Sequence, residues 1–434
     1  MARKSATKQP LRQLPNDGLL LIVAGYAGLF VAFGFLVDSP RDIVLGVIDI
    51  CTSRDTLISD YIGIGGMGAA FVNAGLLTLL AGLVYRASGA EITGAAVACL
   101  FLVLGFALFG KNIMNIWFIV LGVYLYARFK REPFANHINI AFFGCALAPL
   151  FSEILFSTTL SFPVSVPLAI VTSLAVGFIL SPVAAQLFKA HMGFNLYNMG
   201  FTAGIVGTLV VALYKSYGFV PEPKMIWTTG NNTLLGAFLF GMFVSMIVLG
   251  CLLDRRALQG MKKILPLSGQ SPNDFIERAG IGATLVNMGL SGMIGTGYVL
   301  LVGGDLNGPV IGAIFSIVGF AAYGKHPRNI WPIMAGVFIA SMLKDWSATD
   351  PSALLAALFG TTLAPIPGRF GWHWGIVAGF IHSSAAMSVA SIHAGLNLYN
   401  NGFAAGIVAS VLVPIIIALQ SGGRHGKVPE DEKI

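Results

Sequence analysis

His191-Met-Gly-Phe-Asn-Leu-Tyr-Asn198, followed by Met-Gly-Phe-Thr-Ala-Gly-Ile-Val206, decides how this chain is read, because it occurs twice. The second copy is His393-Ala-Gly-Leu-Asn-Leu-Tyr-Asn400, followed by Asn-Gly-Phe-Ala-Ala-Gly-Ile-Val408. A His, two Asn and a Tyr with interspersed glycines stand out in apolar surroundings, where unsatisfied polar groups are costly. Their repetition makes the chain a duplicated unit.

Other matches follow in the same order. Asp60-Tyr-Ile corresponds to Asp274-Phe-Ile, and Val72-Asn73 to Val286-Asn287. Gly110-Lys111 with Asn115-Ile-Trp117 corresponds to Gly324-Lys325 with Asn329-Ile-Trp331. Leu147-Ala-Pro149 corresponds to Leu363-Ala-Pro365. The offset passes from 214 through 216 to 202 residues, so the halves are colinear.

Of 434 residues, 56% are hydrophobic and 10% charged, against about 25% charged in a soluble domain. Mean hydropathy is +0.80. Apolar runs long enough to cross about 30 Å of hydrocarbon recur, which predicts a polytopic membrane protein. The 53 glycines suit close helix packing in lipid. The net charge of +7 lies in short clusters beside apolar runs, which is topology information and no nucleic-acid signal. Four scattered cysteines, with no CxxC pair, predict neither disulfides nor a thiolate metal site. Walker A, dinucleotide, HExxH and GxSxG patterns are absent, so no enzyme activity, catalytic residue, metal or cofactor is expected.

The segments read as residues 1–16, a basic cytoplasmic tail; 17–216, a first transmembrane repeat; 217–232, a connector; 233–420, a second repeat; and 421–434, a cytoplasmic tail. The first span, Gly18–Val37, reads as a retained helix rather than a cleaved leader. An amphipathic piece follows near Ile43–Cys51. Further spans are expected at Ile62–Tyr85, Ile92–Phe109, Ile113–Tyr126, Ile138–Phe156, Val164–Leu180 and Phe201–Tyr214, with Ser181-Pro182 interrupting a helix. Five aspartates, among them Asp38 and Asp60, follow the first span of the first half. The second half has Arg255, Arg256, Lys262 and Lys263 in that place. The positive-inside rule puts the two loops on opposite faces. The expected fold is therefore an all-α polytopic membrane protein of two inverted-topology repeats, about seven transmembrane segments each, with broken or re-entrant helices.

The first candidate solute-binding set is His191, Asn195, Tyr197 and Asn198 with His393, Asn397, Tyr399 and Asn400. These would line a path at a broken helix, since irregular backbone at membrane depth borders a cavity or is buried in protein. The competing reading is a turn at the membrane edge with Tyr as an interface anchor. Secondary candidates are Lys111 and Lys325, as cationic guides at the two mouths or as snorkelling surface residues. Asn73 and Asn287 either line the path or bond a neighbouring helix. Glu153 and Arg369 stand in register and would pair across the halves if buried.

The paired His-x-Gly-x-Asn-Leu-Tyr-Asn-x-Gly-Phe-x-Ala-Gly motifs, with Gly-Lys-x-x-x-Asn-Ile-Trp, resemble a bacterial family of integral membrane proteins classed as a domain of unknown function. That resemblance covers nearly the whole chain and implies no activity. Val-Asn73-Ala-Gly-Leu and Phe-Phe-Gly144-Cys-Ala-Leu-Ala-Pro149 look like patterns of urea transporters, which are also inverted repeats. The chain departs from them at Ala74, where proline is expected, and at Cys145-Ala146 and Thr361-Thr362, where Tyr-Asn is expected.

The expected function is transport of a small polar or anionic solute across the cytoplasmic membrane, with the site at the repeat interface. A passive channel for a urea-like or ammonia-like neutral solute is one alternative, and a non-transporting scaffold or sensor another. The expected partners are that solute and the lipid bilayer, with no nucleic acid, and a homo-oligomer is left open. Inversion predicts that Pro223→Cys labels with a membrane-impermeant reagent from outside, whereas Gly426→Cys does not. The reverse pattern would overturn both the inversion and an odd number of crossings per half.

Overall fold

The computed structural model describes residues 14–221 and 224–422. The basic N-terminal tail before Leu14, Pro223 in the connector and the tail Arg424–Ile434 lie outside the described residues.

The first repeat contributes α1 (Asn16–Val37), α2 (Pro40–Thr52), α3 (Tyr61–Gly65), α4 (Met67–Ser88), α5 (Gly94–Phe106), α6 (Trp117–Lys130), α7 (Ile138–Gly144), α8 (Ala148–Leu155), α9 (Phe162–His191) and α10 (Asn198–Ser216). The second contributes α11 (Asn232–Leu253), α12 (Ala257–Ile264), α13 (Phe275–Ala279), α14 (Ile281–Leu301), α15 (Gly308–Phe320), α16 (Pro327–Leu343), α17 (Pro351–Phe359), α18 (Pro365–Phe370), α19 (Trp372–Val389) and α20 (Asn400–Gly422). Every helix of the second repeat thus has a counterpart ten labels earlier. A single 3-10 turn joins α7 to α8 at Cys145–Leu147, and another lies between α17 and α18 at Gly360–Leu363. The only departure from all-helical structure among the described residues is a two-residue parallel pairing of β1 (Ile58–Ser59) with β2 (Met225–Ile226).

Eight helical stretches among the described residues are long and apolar enough to cross a membrane, with Ile138–Leu155 taken as one. This fits a multi-pass membrane protein. Their outer faces carry exposed apolar side chains such as Leu21, Leu36, Val244 and Leu252, a surface suited to lipid rather than water.

Not every expected span is a full crossing. Each of α5 and α15 has 13 residues, about 20 Å at 1.5 Å per residue. That is short of the hydrocarbon thickness. Both are apolar on all sides and buried on all sides, with Ala95 the one partly open position. Their ends are fixed by the asparagines of the neighbouring helices. Asn73 Nδ2 on α4 donates to the carbonyls of Ala107 (2.7 Å) and Lys111 (3.1 Å). Asn287 Nδ2 on α14 donates to those of Ala321 and Lys325, both at 2.7 Å. The freed carbonyls at each helix end thereby gain donors. These two asparagines hold the backbone and bond a neighbour, the second of the two roles the sequence left open.

α5 and α15 pack side by side and antiparallel at the centre, with Gly105 against Gly312 and Ala98 against Gly319. Their ends are tied by exchanged bonds. Asp60, the N-cap of α3, accepts from the Gly308 amide at the start of α15 (3.1 Å). Asp274, the N-cap of α13, accepts from the Gly94 amide at the start of α5 (2.6 Å). Within each repeat the next amide fixes the other end of the same helix pair: Tyr61 donates to Leu108 O (3.0 Å), and Phe275 to Ala322 O (3.1 Å). A carboxylate at a helix N-terminus meets both orphan amides and the positive end of the dipole.

The expected interruption at Ser181-Pro182 is not there. α9 runs unbroken through Pro167 and Pro182 and ends at His191. A proline removes one backbone bond, and packed neighbours and hydroxyls make that tolerable in a membrane helix; the Ser181 hydroxyl meets His137 Nδ1 at 3.2 Å. The break lies ten residues later, in the His–Asn motif itself.

If the exchanged carboxylates hold the two halves together, Asp60→Ala and Asp274→Ala should each lower the stability of the purified protein. The expected loss is about 1–3 kcal/mol, as for other buried charge-assisted bonds. Thermal unfolding in detergent measures it, and an unchanged midpoint for both variants would refute the tie.

Candidate functional site

α9 stops because the chain turns left-handed at Met192 (φ 51°) and Gly193 (φ 77°). The second copy does the same at Ala394 (φ 50°) and Gly395 (φ 71°). A glycine at the second position spares one strained residue in each turn. The histidines then clasp the break. His191 Nε2 meets Asn198 Oδ1 at 2.9 Å, and its Nδ1 accepts from the Asn195 amide at 3.4 Å. His393 makes the same pair of bonds to Asn400 (2.9 Å) and the Asn397 amide (3.4 Å). Asn198 and Asn400 spend their amide protons on the carbonyls of Ala184 (3.1 Å) and Ala386 (2.8 Å). Their oxygens therefore face the rings, which fixes each histidine as the neutral form with its proton on Nε2.

The clasped loops cross at the repeat interface. Asn195 Nδ2 donates to Gly402 O (3.0 Å), and Asn397 Nδ2 donates to Gly200 O (3.2 Å). Gly200 and Gly402 pack backbone to backbone: a Cβ built on Gly200 would stand 2.9 Å from the Gly402 Cα. Each loop also docks on the 3-10 turn of the other repeat. The Leu398 amide donates to Ala146 O (2.9 Å), and the Leu196 amide donates to Thr362 O (3.1 Å). Thr362 adds side-chain bonds to Asn195 Oδ1 (2.7 Å) and the Tyr197 amide (2.9 Å), which Ala146 cannot make.

Below this crossing lie the two lysines. The sequence offered them as guides at two mouths or as snorkelling residues. Both are instead fully buried at the interface, because the capped ends of α5 and α15 turn them inward. Lys325 donates to Tyr197 OH, to Thr361 Oγ1 (2.8 Å) and to Ser316 O (3.5 Å). Lys111 has only longer contacts, to Phe142 O and Tyr399 OH, both 3.4 Å. Each ammonium also faces the ring of the tyrosine it meets, at 4.5 Å for Tyr197 and 5.2 Å for Tyr399. Each lysine thus reaches a tyrosine of the opposite repeat, and those two rings are 6.2 Å apart. Among the described residues no carboxylate forms an ion pair with either lysine.

A cavity of about 370 Å³ adjoins this crossing. Asn195, Tyr197, Asn198 and Tyr399 line it, with Asn139 and Ser181 among the other polar groups. The structure therefore brings four of the eight motif residues to one cavity. His191 stands behind its wall as the clasp of Asn198, His393 clasps Asn400 away from it, and Asn397 braces the crossing.

Residues 39–216 and 253–418 match the family described as Protein of unknown function (DUF1576). The chain belongs to that family. The match repeats, once over most of each half. Neither a curated protein nor a solved structure matches the chain.

One further expectation for this DUF1576 chain, the pairing of Glu153 with Arg369, is corrected. Glu153 is buried but pairs with Arg54 (3.5 Å) of its own repeat, while Arg369 is exposed at the end of α18. Among the described residues no ion pair joins Glu153 to Arg369, because α18 is short and turns Arg369 outward where α8 turns Glu153 inward. Sequence reasoning also missed Asp55, which is fully buried and accepts from Asn115 Nδ2 (3.1 Å). It missed Ser316, Thr361 and Thr362 as well. The lysine repeat was the signal for Thr361, since a buried ammonium needs acceptors.

His191→Ala and His393→Ala should each destabilise the protein by about 1–3 kcal/mol, since each leaves buried groups of the break without a partner. Asn195→Ala and Asn397→Ala should behave alike. Thermal unfolding reads this out, and stability unaffected in all four variants would mean that water replaces these bonds, as at a surface turn.

Proposed function

We propose that this protein moves a small polar or anionic solute across the cytoplasmic membrane, along the interface of two repeats inserted in opposite orientations. The reading assigns it no catalysis and no cofactor. Inversion is supported by the antiparallel packing of α5 and α15 and by the one-for-one exchange of contacts. Both are what a two-fold axis lying in the membrane plane produces. The acidic and basic loops after α1 and α11 agree with it.

The observation that carries the transport reading is the buried lysine pair beside the cavity. Taking an ammonium out of water costs several kcal/mol even after relaxation. Lys325 offsets part of this with three acceptors, Lys111 with two long contacts. Neither forms an ion pair among the described residues, so when protonated the pair puts a positive potential at the Tyr197–Tyr399 floor of the cavity. A small anion reaching that floor would be attracted from within a low-dielectric wall. The Tyr399 hydroxyl would orient it, since the Tyr197 hydroxyl already donates to Ser316 Oγ (2.6 Å).

A second reading has its own support. The lining of the cavity offers amides and hydroxyls but no charged side chain, which favours a small neutral solute.

Liposome flux against chloride, nitrate, small carboxylates and urea distinguishes the two. Under the anionic reading, Lys111→Gln and Lys325→Gln should each lower anion flux about tenfold or more, a difference of about 1.4 kcal/mol. The loss should persist at high salt, because buried charges are screened little. Thermal stability should hold or rise in Lys111→Gln, since its ammonium has only two long contacts to lose. Unchanged anion flux with lowered stability would make the lysines structural.

A further inference from the structure

The cavity beside the first motif has an equivalent beside the second. A space of about 40 Å³ is lined by Leu355, Phe359, Ala386, Met387, Ala390 and Asn400. Position for position in the repeat, these are the counterparts of Asn139, Phe143, Ala184, Ala185, Phe188 and Asn198 around the large cavity. The borders correspond too. Ser271 and Tyr323 border the large cavity, and their counterparts Leu57 and Phe109 border the small one. Two independently formed spaces therefore occupy the same place in the two repeats, one open and one nearly shut.

Side-chain size alone does not account for the difference. Ala390 stands where the open cavity has the larger Phe188, Met387 where it has the smaller Ala185, and Leu355 where it has Asn139. Leu57 is likewise larger than Ser271, and Asn401 smaller than Met199, so the changes run in both directions. Size alone therefore does not fix which space is open, and the packing of the surrounding helices is left to decide it.

We propose that the small space is the closed form of a second solute vestibule, on the opposite face, and that the two vestibules open alternately. This rests on the transport reading above and makes the protein a carrier rather than a continuous pore. Tyr197 and Tyr399 divide the two vestibules. Solute held between their rings, at the Tyr399 hydroxyl, meets one face through the α12–α13 connector, which holds Ser271. After the exchange it meets the other face through the α2–α3 connector, which holds Leu57. The bonds between the repeats largely come in equivalent pairs: Asn195 with Asn397, Asp60 with Asp274, Lys111 with Lys325. Exchanging the conformations of the repeats therefore largely swaps bonds of the same kind, and two states so related can lie within a few kcal/mol of each other. The basic residues Arg255, Arg256, Lys262 and Lys263, just before the α12–α13 connector, put the open vestibule on the cytoplasmic face.

The test uses reporter cysteines at the equivalent positions, Ala185→Cys and Met387→Cys, in the full chain with Cys51→Ser and Cys251→Ser. A membrane-impermeant maleimide is applied to either face of sealed vesicles. Ala185→Cys should label from the cytoplasmic face, and Met387→Cys from the other face at least tenfold more slowly. Ala390→Trp places bulk in the closed space and should favour its opening. Labelling of Met387→Cys should then speed up severalfold and labelling of Ala185→Cys slow down. A version independent of folding starts from the protein that carries both Ala185→Cys and Met387→Cys. A bulky maleimide attached at position 185 props the first vestibule open, and labelling at position 387 should slow further. Rapid labelling of both positions from opposite faces at once, labelling of both from one face, or rates at one position indifferent to bulk at the other would overturn the proposal. Labelling needs no solute, so the two readings fail separately. Coupled labelling with no flux in liposomes would sink transport and leave the paired vestibules. Flux without coupled labelling would do the reverse.

Discussion

Backbone that leaves its helix inside a membrane must find a partner for each freed N–H and C=O, and in this protein each repeat finds many of them in the other. The loop after α9 gives its Leu196 and Tyr197 amides to Thr362, and the loop after α19 gives its Leu398 amide to Ala146. Asn195 and Asn397 close the crossing from both sides. Neither repeat could keep these breaks alone without stranding polar groups in apolar surroundings. The duplication is thus a physical requirement of the site, because the irregular segment of one copy is the hydrogen-bonding surface of the other. The half-length helices α5 and α15 obey the same constraint at their starts, where each uses a carboxylate from the opposite repeat.

Much of this was legible in the sequence. Colinear motifs gave the repeat, and polar residues with glycines in an apolar chain gave the broken helix. Two kinds of error remained. Proline at position 182 was taken as the break because its local rule is strong, yet α9 absorbs it and the positive φ angles fall at Met192-Gly193 instead. A single-residue rule gives way there to packing. The lysines were misplaced for a different reason. A Gly-Lys turn between apolar runs resembles a surface loop, and nothing local shows that its helix is too short to reach the surface. The partners that reveal the truth, Tyr399 for Lys111 and Tyr197 for Lys325, are 288 and 128 residues away. Contacts at such separations are set by how the repeats meet, which pattern reading within one repeat does not reach.

The repeats are alike enough to exchange contacts and unlike where polarity counts. Lys325 has the Thr361 hydroxyl beside it, and the Ser316 hydroxyl holds its partner Tyr197, whereas the equivalent positions around Lys111 hold Cys145 and Leu102. Thr362 fastens the first loop with two side-chain bonds that Ala146 cannot supply. The buried Arg54–Glu153 pair and Asp55 belong to the first repeat alone, since Ser268, Arg369 and Gly269 stand in their places in the second. Polar reinforcement is therefore distributed unevenly: one repeat receives hydroxyls around its lysine, the other an ion pair near its connector.

That unevenness bears on what the lysines do. Were both purely structural, each would be expected to have a full set of acceptors, because an ammonium has three donors and an unmade bond in a buried site is costly. Lys325 meets that requirement and Lys111 does not. A buried cation with spare donor capacity has a remaining demand for negative charge or for a strong acceptor. Carboxylates exist nearby in the fold, at Asp55, Glu153, Asp60 and Asp274, yet they bond Asn115, Arg54 and helix amides rather than either lysine. The demand therefore stays open toward the interface, where Tyr399 OH, the group Lys111 reaches, also lines the cavity. A solute anion or acceptor arriving there would complete the coordination of the first lysine, through the same tyrosine that divides the two vestibules.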